Sequence, residues 1–176
     1  MFFSTVDPET PFLPERDELL LRSDAELADI CRVDVFCGTG PGGQHRNRNY
    51  TAVRLVTKVP EGFTAEESSF RSQKQNLEAA LQKLRLQLAF AWRKTPPERF
   101  NYTHFNENNP NYPLELAKLL DVVCDCKFDH KSAALRANIT PTRLLKELAR
   151  EYIVWQEFQK CRAESGLSEL KKPRIN

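Results

Sequence analysis

The 176-residue chain is long enough for one full hydrophobic core or two small ones. With 40% apolar and 28% charged residues it has the composition of an ordinary globular protein, and no stretch approaches the ~20 apolar residues of a membrane span. The amino terminus lacks the basic region of a secretory signal or mitochondrial presequence, so we expect a cytoplasmic location.

The net charge of +2 conceals an uneven distribution along the chain. Residues 1–31 carry two basic and eight acidic side chains (net −6), residues 32–99 carry twelve and six (net +6), and residues 100–176 carry twelve and ten (net +2). A local surplus of Arg and Lys favours a polyanionic partner, because binding releases counterions. The middle segment is therefore a candidate for binding nucleic acid, with ordinary solvated surface charge as the alternative.

The first elements are predicted to be an irregular arm, a short helix and three strands. Three prolines among acids indicate an arm over residues 1–25, leading to a helix near 17–31. Alternating residues predict a strand over 33–37 that ends at Gly38, and a β-branched run predicts a second strand over 52–59. Residues 62–65 are a short third strand candidate.

A long helix is predicted next, over about residues 69–93. Its apolar residues recur at three- and four-residue steps and form one stripe: Phe70, Leu77, Leu81, Leu84, Leu88 and Trp92. A stripe of this kind must be buried, and the predicted sheet is the element that it would pack against. We therefore predict an α+β fold in which one long helix packs on a small mixed β-sheet.

The second half is predicted to be helical. Residues 94–113 are rich in Pro and Asn with interspersed aromatics, which indicates a partly anchored linker. Residues 114–170 show helical spacing and predict three or four short helices, with Thr140 and Pro141 suited to cap and begin one of them. The expected organisation is an arm and α+β domain over 1–95, a linker over 96–113 and a small all-α domain over 114–176.

The five cysteines predict free thiols rather than a disulfide framework or a zinc site. They are odd in number and spread along the chain: Cys31, Cys37, Cys124, Cys126 and Cys161. Their C-x₅-C and C-x-C spacings differ from the usual two to four residues between zinc ligands. No metal and no cofactor are predicted.

Residues 38–45, Gly-Thr-Gly-Pro-Gly-Gly-Gln-His, place four glycines within six residues directly after a predicted strand. Such a loop can approach another molecule closely with its backbone. A phosphate-binding P-loop is disfavoured, because Gln44 and His45 stand where Lys and Ser or Thr are required. The glycine spacing also differs from a dinucleotide-binding loop. A Cys37–His45 nucleophilic pair would lack a third, orienting group.

Two blocks around this loop resemble class I peptide chain release factors. Residues 40–54, G-P-G-G-Q-H-R-N-R-N-Y-T-A-V-R, match the signature G-x-G-G-Q-H-V-N-x-x-x-[ST]-A-V-R, except that Arg46 replaces the usual Val or Ile. Residues 71–76, R-S-Q-x-x-N, are similar to the opening of the long helix in that family. Cys37-Gly38 departs from the usual Arg-Ser. The resemblance covers about residues 30–93.

The resemblance implies a hydrolase that cuts the peptidyl-tRNA ester in the peptidyl-transferase centre of the ribosome. It implies that Gly42 and Gly43 let the loop enter this narrow RNA cavity, and that the backbone N–H of Gln44 stabilises developing negative charge. The Gln44 amide would admit water and exclude larger nucleophiles. A glutamine methyltransferase that modifies the family's glutamine is a candidate partner for Gln44.

The same resemblance predicts contacts with large-subunit ribosomal RNA. His45 would orient or stack in the RNA cavity, and flanking cations would meet phosphates: Arg46, Arg48, Arg54, Arg71 and Lys74. Taken one at a time, each of these residues also suits an ordinary solvated surface.

About thirty-seven residues precede Gly38, too few for the stop-codon-reading domain of codon-specific release factors. We therefore expect codon-independent hydrolysis, as in the short hydrolases of this family that rescue stalled ribosomes. A catalytically silent ribosome- or RNA-binding factor is the first alternative. The second is a DNA-binding protein, because residues 131–150 have helix-turn-helix spacing with some positive charge, including Arg136, Arg143, Lys146 and Arg150.

Overall fold

The computed structural model describes residues 15–38, 49–58 and 61–174. The chain divides into two compact units between Ala89 and Phe90. We call them the first unit, described over 15–38, 49–58 and 61–89, and the helical unit, described over 90–174. Most of the predicted arm, at residues 1–14, and residues 39–48 of the glycine loop lie outside the described residues.

The first unit begins with two short helices, α1 (Arg16–Leu21) and α2 (Asp24–Asp29), where one helix was predicted. That prediction is wrong because Ser23 starts a new helix. The N–H of Glu26 donates to the Ser23 hydroxyl at 3.3 Å, and the Glu26 carboxylate accepts from the Ser23 N–H at 2.9 Å. This reciprocal capping box requires extended geometry at Ser23, whose ψ is 162°, and so ends the preceding helix.

Three strands follow: β1 (Cys31–Cys37), β2 (Tyr50–Lys58) and β3 (Glu61–Glu67). They form a sheet in the order β1-β2-β3 in which both pairs are antiparallel. The α+β class is confirmed, and the described strands correct one detail, since the sequence analysis expected a mixed sheet. Strands that follow each other in the chain pair here directly, and a parallel pair would need a longer crossover connection.

The long helix α3 (Gln73–Ala91) packs against the sheet, where its Asn76 contacts Thr51 of β2 and its Lys83 contacts Glu67 of β3. Val53, Leu55 and Ala65 are buried on one face of the sheet, and the helix buries Leu81, Leu84 and Leu88 as predicted. The placement of Phe70 in the stripe was wrong. It precedes the helix and is 44% exposed.

A buried arginine connects α3 to the two short helices. Arg85 donates through Nη1 to Asp24 at 2.6 Å and through Nη2 to the carbonyl of Arg22 at 2.5 Å. Its guanidinium therefore pairs with a carboxylate and also satisfies a carbonyl in the break between α1 and α2. This contact fixes the short helices against α3.

The helical unit contains four further helices among its described residues: α4 (Tyr112–Asp125), α5 (His130–Arg136), α6 (Pro141–Arg150) and α7 (Tyr152–Glu164). They confirm the predicted helical second half. Thr140 caps α6, accepting from the N–H of Arg143 at 3.2 Å, and Pro141 is the first helical residue. Leu116, Leu148 and Phe158 are among its fully buried core side chains.

The segment before α4 packs on the helices of its own unit. The Tyr102 N–H donates to the carbonyl of Ala137 at 3.0 Å, and the Tyr102 hydroxyl donates to Glu147 at 2.9 Å. Arg150 donates to the carbonyl of Phe105 at 2.8 Å. These contacts anchor residues 102–105 to α5 and α6. The domain limits 1–95, 96–113 and 114–176 stay a prediction.

Within the described ranges, none of the helices combines the length and the apolar character needed to cross a membrane. All five cysteines are free thiols. Burial raises the pKa of Cys124 to about 12 and that of Cys161 to about 11. Among the residues that the structure describes, no group of three or more His, Cys, Asp and Glu side chains is arranged to hold a metal ion.

Candidate functional site

The glycine loop connects two strands that pair where they meet it. Cys37 of β1 pairs with Tyr50 of β2, and Phe36 pairs with Ala52, so Thr51 is an extra residue in β2. Because β1 and β2 are antiparallel, both ends of the connection lie at the same end of the sheet. The predicted catalytic and RNA-binding residues of the loop lie outside the described residues: Gly42, Gly43, Gln44, His45, Arg46 and Arg48.

Asn76, on the first turns of α3, connects the start of β2 to the bend before the helix. It is fully buried. Its Nδ2 donates to the carbonyl of Thr51 at 2.6 Å and to the carbonyl of Phe70 at 2.9 Å, while its Oδ1 accepts from the Phe70 N–H at 2.9 Å. The amide therefore uses both donors and an acceptor, as a buried polar group must.

These bonds explain the position of Asn76 in the second sequence block. Thr51 is left out of the regular β1–β2 register, and Asn76 supplies a donor for its carbonyl. Thr51 lies three residues beyond Arg48, so Asn76 fixes the point at which the chain re-enters the sheet. In the sequence, Asn76 is recognisable only as part of the release-factor resemblance, and no role was predicted for it. Its place in the R-S-Q-x-x-N block was the available signal.

A second contact holds the end of β3 against α3. Glu67 is buried and accepts from the Lys83 ammonium at 2.8 Å, the Ser69 hydroxyl at 2.7 Å and the N–H groups of Ser68 and Ser69 at 2.8 and 2.9 Å. Burial by itself would raise the pKa of Glu67, but the bonds from Lys83, Ser69 and Ser68 outweigh it and lower the pKa to about 2. The ionised carboxylate therefore stabilises the turn that leads into α3.

Arg54 lies in β2 on the sheet face opposite α3, since it alternates with the buried Val53 and Leu55. Its guanidinium is half-exposed and pairs with Glu66 of β3 at 3.0 Å, and it lies 5.2 Å from the centre of the Phe36 ring. These contacts orient the side chain and leave part of it accessible. The structure thus places Arg54 in a cross-strand contact.

Arg71 and Lys74 lie at the amino-terminal end of α3. Lys74 is 85% exposed, and its nearest carboxylate, on Glu78, is 3.9 Å away. Arg71 is exposed and forms no ion pair with a described residue. The first turn of α3 has no acidic residue, although the positive end of a helix dipole favours acids there. Two cations at this end oppose helix stability, which favours a role in binding an anion.

The structure brings some of the predicted RNA-binding residues together and separates another. Arg71 and Lys74 share the start of α3, whereas Arg54 lies on the other face of the sheet. The described part of the site therefore has cations on two sides. Asn76, Glu67 and Lys83, which the sequence analysis did not single out, position the elements that carry them.

Comparison with known proteins identifies this region. Residues 25–108 match the RF-1 domain family. The chain is 46% identical over 76 residues to peptide chain release factor 1 of Amoebophilus asiaticus. It is 43% identical over 76 residues to peptide chain release factor 1 of Flavobacterium johnsoniae. Each of these matches covers 43% of this chain and 20% of the relative. The chain is 35% identical over 94 residues to peptide chain release factor 1 of Lacticaseibacillus casei, covering 53% of this chain and 25% of the relative.

The chain thus spans about a fifth to a quarter of the length of these relatives. No solved structure matches it. The RF-1 match contains β1 to β3, α3, the glycine loop and the block that includes Asn76. Residues 25–108 therefore carry the RF-1 domain found in class I peptide chain release factors.

Proposed function

We propose that this protein hydrolyses the ester of peptidyl-tRNA on the ribosome without reading a codon, and so releases the nascent peptide. The observation that carries the proposal is the Gly42-Gly43-Gln44 sequence in the connection between β1 and β2 of an RF-1 domain. The relatives that match this segment are named peptide chain release factor 1. Codon independence is part of this proposal, and the release assay described below tests it separately.

The chemistry requires positioning and charge stabilisation. The ester already has an activated ribose leaving group, so attack by water needs no covalent nucleophile. In this proposal Gly42 and Gly43 let the backbone pass through a narrow RNA cavity, and the Gln44 N–H donates to the developing oxyanion. Loss of one such donor typically costs about 2.7–4 kcal/mol of barrier height.

The flanking side chains are proposed to meet large-subunit ribosomal RNA around the peptidyl-transferase centre. Arg71 and Lys74 suit this role because they are exposed cations at the positive end of α3, where their charge opposes the helix dipole. Arg54, His45, Arg46 and Arg48 complete the proposed RNA contacts. Ribosome binding would place the protein in the cytoplasm, with the glutamine methyltransferase as a candidate partner for Gln44.

The test is peptide release from purified ribosomes that hold labelled peptidyl-tRNA, with the A site empty, at a sense codon or at a stop codon. Wild type is compared with Gly43→Ala and with Thr39→Ala, a control change in the same loop. We expect equal release from all three complexes and a loss of about a hundredfold or more for Gly43→Ala with ribosome binding retained.

Two results would overturn the proposal. Ribosome binding without release by wild type would indicate a silent binding factor. Release confined to the stop-codon complex would contradict codon independence.

A further inference from the structure

One segment of the helical unit has a local excess of positive side chains. Residues 125–150 contain six Lys and Arg but three Asp and Glu. The three carboxylates already have partners within the unit: Asp125 with Arg136, Asp129 with Ser132, and Glu147 with Arg150 and Tyr102. Asp125 and Glu147 are thus each paired with an arginine, whereas Asp129 remains a negative charge at the cap of α5.

Four of the cations remain exposed and form no ion pair with any described residue: Lys127, Lys131, Arg143 and Lys146. Isolated surface cations are common, but here four fall within twenty residues, and two of the three acids in this segment are paired with other arginines. Such a local excess attracts a polyanion by counterion release.

Three of these cations lie on a helix-turn-helix, and Lys127 precedes it. The α5 helix ends before Asn138, whose φ is 54°, and Thr140 caps α6 directly after this turn. Arg143 and Lys146 lie three residues apart and share the outer face of α6, while Leu144 and Leu148 are fully buried on the opposite side. The cations of α6 therefore project outward from a well-packed helix.

We propose that these exposed cations, Lys127, Lys131, Arg143 and Lys146, bind the phosphate backbone of double-helical RNA. The choice of RNA rests on the proposed function of the same chain at the ribosome. The exposed residues of α5 and α6 include no aromatic side chain, so base stacking on a single strand is not favoured. Backbone contacts across a double helix recognise shape and charge, and the binding is independent of base sequence.

Leu135 of α5, 84% exposed, offers a direct check on the nature of the contact. It lies four residues after Lys131, on the same side of α5. If phosphates make the contact, Leu135→Ser leaves the affinity for RNA within about twofold, because the binding is ionic. A large loss in this variant would overturn the proposal in favour of an apolar contact.

The main experiment measures binding of the full-length protein to short fluorescent RNA duplexes of two unrelated sequences and to the corresponding DNA duplexes, over a range of salt concentrations. The test variant carries Arg143→Glu and Lys146→Glu. The matched control carries Lys160→Glu and Lys171→Glu, which change the net charge equally at exposed positions of the same unit. A neutral pair, Arg143→Gln with Lys146→Gln, should fall between wild type and the reversal.

We expect both RNA duplexes to bind equally and the reversal to weaken binding at least about tenfold, with a salt slope lower by about two. The control should retain the wild-type affinity. An equal loss in test and control, no RNA binding by wild type, or tighter and sequence-dependent binding to DNA would each overturn the proposal. Gly43→Ala should bind RNA like wild type, so this result is independent of peptide release.

Discussion

Asn76 stabilises the RF-1 domain through one fully buried amide. Its hydrogen bonds connect Thr51, twenty-five residues away in sequence, with both backbone groups of Phe70. The carbonyl of Thr51 lies at the bulge where β2 begins, and Phe70 precedes α3. A side chain of another shape or donor pattern would leave these backbone groups unpaired.

Replacing Asn76 by Ala should lower the free energy of unfolding by about 1–3 kcal/mol for each backbone group that remains buried and unpaired. Asn76→Asp preserves the size but cannot donate to the two carbonyls, so it should also destabilise. Denaturant unfolding measures both. Gln75→Ala, at an exposed neighbouring position, is the control and should have little effect. Equal stability of Asn76→Ala and wild type would contradict this role.

Glu67 makes stability depend on pH. Its pKa in the folded protein is lowered to about 2, despite the opposing effect of burial, by Lys83, Ser69 and Ser68. A carboxylate whose pKa falls on folding stabilises the protein above its unfolded pKa, and that contribution is lost as the pH falls through the folded value.

We therefore expect wild type to lose stability between about pH 5 and pH 2, with Glu67 contributing up to about 3 kcal/mol at pH 7. Glu67→Gln should remove that part of the pH dependence. Thermal unfolding at a series of pH values tests this, with Glu66→Gln, a half-exposed neighbour, as control. An unchanged pH profile in Glu67→Gln would rule out the assignment.

At the scale of single elements, two helix starts illustrate different demands on the sequence. Thr140 and Pro141 begin α6 with residues that favour a helix start. Arg71 and Lys74, in contrast, place cations at the positive end of α3. The first arrangement serves folding, and the second is explained by the proposed contact with RNA.

Thr140→Ala should destabilise the helical unit by about 0.5–2 kcal/mol, because the Arg143 N–H loses its side-chain acceptor. Thr140→Ser keeps the acceptor and should restore most of the loss. Thr142→Ala, an exposed change in the same helix, serves as the control in the unfolding measurement. If Thr142→Ala destabilises as much as Thr140→Ala, capping is not the cause.

The pair Arg71→Gln and Lys74→Gln should separate stability from function. Removing charges that oppose the helix dipole should leave stability equal or raise it by about 0.3–1 kcal/mol. Ribosome binding should weaken, and its salt slope should fall by about two. Thermal unfolding and ribosome cosedimentation are measured on the same preparation. Loss of stability without loss of binding would contradict the proposed RNA contact.

At the scale of the whole molecule, the chain has two units with separate cores. The strands that flank the glycine loop belong to the first unit. In the helical unit, Glu147 is buried and accepts from Tyr102 and Arg150 at 2.9 Å each. Burial alone would raise the pKa of Glu147, but its partners, chiefly Arg150, hold it below the ordinary value. The network therefore stabilises the helical unit as a charged cluster.

Glu147→Gln should destabilise the helical unit by about 3 kcal/mol, since it leaves the Arg150 charge in a buried site with less compensation. Peptide release should persist at temperatures where both units remain folded. Calorimetry and the release assay test the two parts of this prediction. Glu157→Gln, whose partner Lys160 is exposed, should change stability by about 1 kcal/mol or less. A matching loss of release in Glu147→Gln would show that the two units act together.

By itself the sequence determined the α+β class, the three strands, the long helix and the start of α6, because periodicity and capping chemistry are local properties. Its loop motif also indicated the family, while the catalytic roles of Gly42, Gly43 and Gln44 stay predictions. Only the tertiary structure decided that the described strands are antiparallel and that Phe70 precedes α3. It also showed that Asn76 forms a hydrogen bond with Thr51, 25 positions away in the chain, and that Arg85 forms one with Asp24, 61 positions away. Hydrogen bonds over such distances leave no periodic pattern in the chain, so their partners emerge only when the elements pack.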